Sequence, residues 1–176
     1  MADRYQYLWK KLIENGLIED KPPKTVDCAC GAGKGFKLFK RLGVRKRLIS
    51  IDIDPLCVSK VRAMGGNARV GNITKLKLED NLAYMFICSE TLEHLTWKEA
   101  NKAAKEIRRV TIDNGLIVIT VPLDKEDSLL NPLHKQFLDL DLLKKLFSDL
   151  RVVMVEQFRK NKQESGNLIV VFRQSK

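Results

Sequence analysis

The residues best suited to chemistry lie in one short segment, Glu90-Thr-Leu-Glu93-His94. Residues spaced i, i+3 and i+4 share one face of a helix, so we expect these two carboxylates and the imidazole to lie together. The other histidine of the chain, His134, follows a later apolar run. Two carboxylates and two imidazoles are the donor types of a divalent-metal site. Without a metal, His94 or Glu93 is a candidate general base, and His134 could simply cap a loop.

A glycine-rich loop, Asp27-Cys-Ala-Cys-Gly-Ala-Gly-Lys-Gly35, is the second candidate site. It is not a P-loop, because that motif needs glycine where the chain has Cys28 and a hydroxyl residue where it has Gly35. The dinucleotide fingerprint fails at its third glycine, which is Phe36 here. The glycines that remain leave bare backbone that a ligand can approach closely.

The hydrophobic pattern predicts the elements that position these residues. Predicted strands are Thr25–Cys30, Leu48–Ile53, Ala68–Val70, Tyr84–Cys88, Leu116–Val121, Arg151–Phe158 and Asn167–Phe172. Predicted helices are Lys34–Leu42, Pro55–Met64, a helix from the capping box Thr96–Glu99 to Asn114-Gly115, and Leu138–Phe147. Strands that alternate with helices indicate a parallel sheet covered on both faces.

The last two predicted strands are joined by a short polar turn, Lys160–Gly166, which predicts a hairpin and hence an antiparallel edge strand. We therefore predict an α/β fold with a doubly wound, mostly parallel seven-stranded sheet, one antiparallel edge hairpin and helices on both faces. Ligands of such sheets collect at the carboxyl ends of the strands, where both candidate sites are expected.

An amphipathic helix is predicted ahead of this body. Apolar side chains recur at helical spacing from Tyr5 to Ile13, Trp9 among them, and Asn15-Gly16 ends the pattern. We expect residues 1–20 to form this helix and to be one candidate lid over the site. The segment from Asp124 to Phe137 is the other.

Size and composition restrict the class of protein. The chain has 176 residues, which favours one domain, and a net charge of +10, which favours anionic partners. Its apolar runs are too short for a membrane span, and its first residues lack the apolar core of a secretory signal. The four cysteines form no CxxC pair, so we expect small core side chains in a reducing cytoplasm.

The stretch Val26-Asp-Cys-Ala-Cys-Gly-Ala-Gly33 resembles the first motif of class I S-adenosylmethionine-dependent methyltransferases. In that family the acidic residue and the glycine turn hold the methionine part of the cofactor. The chain departs at Ala29, where the family usually has glycine. The resemblance implies cofactor contacts from Asp27, Ala29, Cys30, Gly31, Ala32 and Gly33.

Three further segments resemble later motifs of the same family. Leu48–Pro55 carries Asp52 about 20 residues beyond the glycines, the spacing of a carboxylate that takes ribose hydroxyls. In Gly71-Asn-Ile73, the Asn72 carbonyl oxygen can accept a hydrogen bond from the adenine amino group. Tyr84–Leu95 resembles the fourth strand and its turn. The implied cofactor residues here are Asp52, Ile53, Asn72, Ile73, Ser89 and Glu90.

The acidic and histidine-containing segment resembles the E-x-x-E-H of small-RNA 3′-end 2′-O-methyltransferases, which also have a downstream histidine, and ubiquinone-pathway O-methyltransferases look similar here. The resemblance implies that Glu90, Glu93, His94 and His134 hold a metal that positions a vicinal diol or catechol and acidifies its hydroxyl. The same Leu-Glu-His-Leu turn occurs in relatives without an implied metal, so both versions of the site stay open.

The sequence thus predicts a methyltransferase domain over residues 25–176 that uses S-adenosylmethionine and an unidentified acceptor. O-methylation of a small molecule or of RNA is favoured. Base amino-group methylation is disfavoured, since the turn after the fourth strand is Ser89-Glu90 and not the Asp/Asn-Pro-Pro-aromatic pattern associated with it. Two alternatives are a cofactor-binding regulatory subunit without turnover and a nicotinamide-dependent oxidoreductase, which Phe36 disfavours.

Two basic runs bear on partners. The first comprises Lys34, Lys37, Lys40, Arg41, Arg45, Lys46 and Arg47; the second comprises Lys102, Lys105, Arg108 and Arg109. They could contact nucleic-acid phosphates or be ordinary solvated helix faces. No membrane partner is expected, and the oligomeric state is left open.

Overall fold

The computed structural model describes residues 4–21, 23–160 and 165–175, which form one seven-stranded sheet with helices on both faces. The strands are β1 (Thr25–Cys28), β2 (Leu48–Asp52), β3 (Asn67–Val70), β4 (Ala83–Ser89), β5 (Thr111–Pro122), β6 (Arg151–Phe158) and β7 (Asn167–Arg173). The helices are α1 (Arg4–Glu14), α2 (Lys34–Arg41), α3 (Pro55–Ala63), α4 (Trp97–Val110), α5 (Lys125–Leu130) and α6 (Leu140–Leu146).

The sheet order is β3-β2-β1-β4-β5-β7-β6, and the predicted architecture is confirmed. β1 to β5 pair in parallel, whereas β7 runs antiparallel to both β5 and β6. The middle of the predicted hairpin turn, residues 161–164, lies outside the described residues. The strand order changes direction at β1: β2 and β3 follow on one side of it, and β4 and β5 on the other. Doubly wound sheets bind ligands at this switch point, between β1 and β4.

Two apolar clusters, one on each face of the sheet, hold the layers together. One cluster joins α1, α2 and α3 to the sheet, and the Trp9 and Phe39 rings meet edge to face at 5.7 Å. The other joins α4 and α6 through residues such as Ile107 and Phe147. The amphipathic helix predicted at the N-terminus is therefore part of the packed structure. Among the described helices, none has the length and apolarity needed to cross a membrane.

The structure corrects two predicted boundaries. Helix α4 begins at the predicted capping box, in which Glu99 N–H donates to Thr96 Oγ1 and Glu99 accepts from Thr96 N–H. It ends at Val110, however, and the next residue starts β5 because Thr111 pairs with Ala83 of β4. The segment after β5, predicted as a loop, contains the short helix α5.

Candidate active site

The predicted site residues gather at the carboxyl ends of β1, β2, β3 and β4, around a cavity of about 430 Å³. Its lining comprises Cys28, Ala29, Ile53, Gly71, Asn72, Ile73, Thr74, Glu90, Thr91, His94, Leu95, Glu99 and Lys135. Five of the predicted cofactor residues are in this set: Ala29, Ile53, Asn72, Ile73 and Glu90. The other seven, outside the lining, are Asp27, Cys30, Gly31, Ala32, Gly33, Asp52 and Ser89, all within or next to the strand ends and the glycine loop.

Asp52 fixes the shape of the glycine loop. Its Oδ2 accepts a hydrogen bond of 2.7 Å from the Gly31 N–H, and its Oδ1 accepts one of 3.0 Å from the Asp54 N–H. The Cys30 N–H also donates to the Ile51 carbonyl at 2.9 Å. A carboxylate has about four lone-pair directions, so Asp52 keeps capacity for ligand hydroxyls while it anchors the loop.

The loop needs left-handed backbone at three positions. Gly31 has φ +49° and Gly33 φ +80°, conformations that glycine adopts without strain. Ala29 has φ +60°, which costs a residue with a Cβ about 1–2 kcal/mol. The departure from the family motif at Ala29 is thus a strained position.

Asp27 is completely buried and is held by the N-terminal helix. The Tyr5 hydroxyl donates to Asp27 Oδ1 at 2.9 Å, whereas Oδ2 has no hydrogen-bond partner among the described residues. Burial raises the pKa of Asp27 to about 7, an effect opposed by the hydrogen bond from Tyr5 and by the charge of Arg4. A ligand ammonium would satisfy such an unpartnered carboxyl oxygen, and the cofactor role of Asp27 stays a prediction.

A second contact from α1 reaches Glu90. Arg4 Nη1 lies 3.5 Å from Glu90 Oε1 and donates to Asn167 Oδ1 at 2.9 Å, while Arg4 Nε is buried without a partner in the described structure. On its other side Glu90 Oε1 accepts from Thr120 Oγ1 at 3.4 Å. The N-terminal helix thus contributes two polar side chains to the neighbourhood of the site.

Asn72 is arranged differently from the expectation. Its Oδ1 accepts hydrogen bonds from both the N–H and the hydroxyl of Thr74, each at 2.9 Å. The carbonyl oxygen is therefore occupied, and the amide NH₂ remains as the group that Asn72 can offer to a base. Ile53, which is 67% exposed, supplies an apolar surface beside it.

Glu93, His94 and His134 come together as predicted. One ligand atom from each lies within 4.8 Å of the others, and the two imidazole rings meet edge to face with centroids 4.8 Å apart. Glu93 is fully buried and neither carboxyl oxygen has a partner in the described chain. Burial and the nearby charge of Glu90 raise the pKa of Glu93 to about 8, so it is mostly protonated at neutral pH.

Glu90 does not join this group. The expectation required a helical turn that includes Glu90, but the turn begins only after it. Glu90 has φ +50°, and the 3₁₀ turn that follows spans only Leu92–His94. The i, i+3 relationship therefore does not hold between Glu90 and Glu93, and Glu90 turns to Arg4 and Thr120 instead.

Hydrogen bonds define the state of both imidazoles. His94 Nδ1 lies 3.1 Å from the Leu133 carbonyl, which can only accept, so Nδ1 carries a proton, and in the neutral imidazole Nε2 then holds the lone pair. In His134, Nδ1 donates to the Ser128 carbonyl at 2.9 Å. Its Nε2 accepts from the Asn131 amide, whose orientation is fixed because Asn131 Oδ1 accepts from the Leu133 N–H.

These states bear on the predicted metal site. Of the two imidazoles, only His94 has a nitrogen without a hydrogen-bond partner in the described structure, because both His134 nitrogens are engaged; burial raises the pKa of Glu93 to about 8, which disfavours the carboxylate that a metal prefers. A metal ion would have to displace Asn131 and deprotonate Glu93. As arranged, the group is an incomplete donor set, and the metal site stays a prediction.

Sequence reasoning missed the contacts made by residues distant in the chain. Arg4 precedes Glu90 by 86 positions, and the Leu133 carbonyl reaches back to His94 across 39 positions. No local pattern marks such pairs. The one available signal was the start of α1, where a cation and a tyrosine stand side by side on a helix already proposed as a lid.

The chain also resembles known proteins. Residues 26–119, more than half of the chain, match a protein family described as "Methyltransferase domain". The chain belongs to this methyltransferase family. The matched region begins at β1 and extends into β5, so it includes the glycine loop, Asp52, Asn72 and the Glu93–His94 turn. The resemblance to class I S-adenosylmethionine-dependent methyltransferases, and hence the cofactor class, is confirmed.

A curated relative agrees with this family assignment. A probable S-adenosylmethionine-dependent methyltransferase of Mycolicibacterium smegmatis is 30% identical over 143 residues, 77% of this chain and 52% of the relative. The chain spans about half the length of the curated relatives it matches.

Solved structures show the same fold. An S-adenosylmethionine-dependent methyltransferase from Archaeoglobus fulgidus gives a TM-score of 0.75 at 14% identity, covering 97% of this chain and 94% of the other. The N-methyltransferase NodS of Bradyrhizobium japonicum WM9, in complex with S-adenosyl-L-homocysteine, gives 0.75 at 15%, covering 99% and 90%.

Proposed function

We propose that the chain is a catalytically active S-adenosylmethionine-dependent methyltransferase that methylates a hydroxyl group. The observation that carries the proposal is the state of His94. This residue lines the cavity, its Nδ1–H is fixed on the Leu133 carbonyl, and its Nε2 is left without a partner in the described structure. A hydroxyl acceptor needs a base of this kind, because neutral oxygen is a weak nucleophile, whereas a neutral amine needs none.

The proposed division of labour follows from the geometry. Bound S-adenosylmethionine supplies an activated methyl group. Asp27 and the backbone of the glycine loop hold its methionine part, Asp52 takes its ribose hydroxyls, and Ile53 packs against its adenine. His94 Nε2 removes the acceptor proton as the new oxygen–carbon bond forms and the electron pair of the carbon–sulfur bond goes to sulfur.

The surroundings of His94 suggest an acceptor with an apolar body. The Leu133 carbonyl contacts the His94 ring, and the Leu133 side chain is 70% exposed. Leu129 and Leu130 belong to α5, the helix whose Ser128 carbonyl contacts His134, and they are 60% and 81% exposed. Exposed leucines beside a polar site are typical of a surface that a partly apolar ligand covers. Phenolic and alcoholic small molecules are therefore the favoured acceptors, with RNA hydroxyls as the second class to test.

The deciding experiment measures transfer of labelled methyl from S-adenosylmethionine. The acceptors are phenol, alcohol and amine versions of one apolar scaffold, together with an RNA transcript. The proposal predicts ether products from hydroxyl acceptors. Labelling of the amines alone would refute it. No transfer to any acceptor, with S-adenosylhomocysteine still bound, would favour the regulatory subunit.

The variant His94→Asn tests the base separately. An asparagine amide can retain the hydrogen bond to the Leu133 carbonyl but offers no nitrogen lone pair. We expect kcat to fall by about 10²–10⁴-fold with little change in cofactor affinity. The control is Lys98→Asn, an exposed position on the first turn of α4 that does not line the cavity. Equal turnover of both variants would contradict a base at His94.

The proposed compartment is the reducing cytoplasm. All four cysteines are free thiols, and three of them are buried as small core side chains. Burial raises the pKa of the Cys30 thiol to about 12, so this residue of the glycine loop is an inert thiol at neutral pH.

A further inference from the structure

The two basic runs of the sequence have different fates in the structure. In the second run Arg108 pairs with Asp149, and Arg109 pairs with Asp80 at 2.6 Å and with Glu106 at 2.8 Å. Its arginines are therefore largely neutralised by carboxylates of the same molecule. Lys102 and Lys105 are exposed and form no salt bridge in the described structure, so two of the four positive charges of this run remain unneutralised.

Six of the seven cations of the first run have no such compensation. No Asp or Glu occurs between Asp27 and Asp52, and all seven cations in that interval are exposed. Within the described chain six of them form no salt bridge: Lys34, Lys37, Lys40, Arg41, Arg45 and Lys46. We call these six residues and Arg47 the basic strip.

The basic strip runs from the carboxyl ends of the strands, where the cofactor site lies, to the amino ends of the strands; this second side is the edge opposite the cofactor. Lys34 opens α2 directly after the glycine loop, and Lys37 and Lys40 follow at the i, i+3 spacing that keeps them on one face. Eight residues of helix advance about 12 Å. A 3₁₀ turn, Arg45–Arg47, then leads into the amino end of β2.

At that edge the strip enters a cleft of about 360 Å³ between the starts of four strands. Five cations line the cleft: Lys24, Lys46, Arg47, Arg69 and Lys77. The lining includes one carboxylate, Glu79. Lys24, Arg69 and Lys77 form no salt bridge in the described structure, so the cleft concentrates unneutralised positive charge.

We propose that the basic strip and this cleft bind a nucleic-acid duplex through its phosphates, separately from the cofactor site. An extended row of lysines and arginines matches a regularly charged backbone. A membrane surface would need apolar side chains among the cations, and Leu42, 39% exposed, is the large one that accompanies α2. Single strands are held by exposed aromatic rings, whereas no aromatic residue of the described chain is exposed.

The inference does not depend on the methyl acceptor. A duplex anchored on the strip would contact the edge opposite the cofactor as well as the start of α2, which adjoins the glycine loop. Lysine and arginine charges attract phosphates whatever the base sequence, so we expect the strip to bind duplexes without sequence preference.

The experiment is fluorescence anisotropy with labelled duplexes of about 20 base pairs, DNA and RNA, over a salt series. If about four cations meet phosphates, the slope of log K against log salt is about −3.6, so affinity falls by about two orders of magnitude from 50 to 200 mM salt. Unlabelled single strands and anionic vesicles compete as alternative ligands.

Two double variants with the same charge change separate the strip from net charge. Lys37→Glu with Lys46→Glu reverses the charge of two lysines of the strip. Lys102→Glu with Lys105→Glu reverses two exposed lysines of α4, on the other face of the sheet. The proposal predicts at least a tenfold weaker duplex affinity for the first pair and less than threefold for the second, with S-adenosylhomocysteine binding kept in both. Equal losses, preference for vesicles or single strands, or no duplex binding at low salt would overturn it.

Discussion

Replacing Asp27 by asparagine separates the effect of the buried carboxyl on folding stability from its predicted role in binding the cofactor. In the folded protein its pKa is raised from 3.8 to about 7 by burial, so the folded state keeps the proton while the unfolded chain has lost it. Because the folded state binds more protons between about pH 4 and pH 7, its free energy of unfolding falls as pH rises through that window. Asparagine has no such titration.

The magnitude follows from the shift. About three pH units at 1.36 kcal/mol each give a loss of about 4 kcal/mol between pH 4 and pH 8. For a chain of this size that is about 8–16 °C in Tm. Between pH 4 and pH 8 the free energy of unfolding of the wild-type protein should therefore fall by about 4 kcal/mol more than that of Asp27→Asn. Any constant cost of burying the amide cancels, because only the change with pH is compared.

The assay is denaturant unfolding of both cofactor-free proteins at several pH values across this range. If the free energies of unfolding of the two proteins changed equally from pH 4 to pH 8, the raised pKa of Asp27 would be refuted. The same variant tests function: losing a charge-assisted hydrogen bond to the cofactor ammonium should weaken S-adenosylhomocysteine binding by about 10-fold or more. Greater stability at pH 8 with unimpaired binding would mean that Asp27 does not serve the cofactor.

Three further predictions concern the loop, the capping box and the metal. Ala29→Gly should raise the free energy of unfolding by about 1 kcal/mol, since it relieves left-handed backbone at φ +60°; a lower unfolding midpoint would contradict this. Thr96→Ala should lower it by about 1 kcal/mol, measured the same way, because it removes the hydroxyl that accepts from the Glu99 N–H. If Glu93, His94 and His134 hold a metal, calorimetric titration with Mn²⁺ or Zn²⁺ should show binding that His134→Ala abolishes; no heat, with full activity in chelator, would remove the metal site.

The fold was largely predictable because its signals are local. Buried strands such as Leu116–Val121 are continuous apolar runs, and the capping box at Thr96 marks its helix without tertiary information. The failures are places where tertiary pairing wins. Thr111 leaves the helical pattern because β4 offers it a partner, and α5 is too short to have a clear period.

The places of the candidate site residues in the fold were predictable from the sequence, whereas their contacts were not. The positions of Asp27, Asp52 and Asn72 followed from motif order at strand ends. Their partners did not, because Tyr5 is remote in sequence and the backbone of Glu90 leaves the helical region. Protonation states were beyond reach as well, since they depend on which carbonyl or amide each imidazole meets.

The central claim is that the glycine loop and its aspartates hold an adenosyl amino acid. The most direct test is calorimetric titration of S-adenosylhomocysteine and NADH into wild type, Gly31→Ala and Gly43→Ala. Both glycines have positive φ, +49° and +72°, and at neither would an added Cβ meet an atom within 4 Å, so the two variants carry similar backbone strain. The account predicts saturable binding of S-adenosylhomocysteine alone, weakened at least tenfold by Gly31→Ala and unchanged by Gly43→Ala. Binding of NADH instead, or equal effects of both variants, would contradict it.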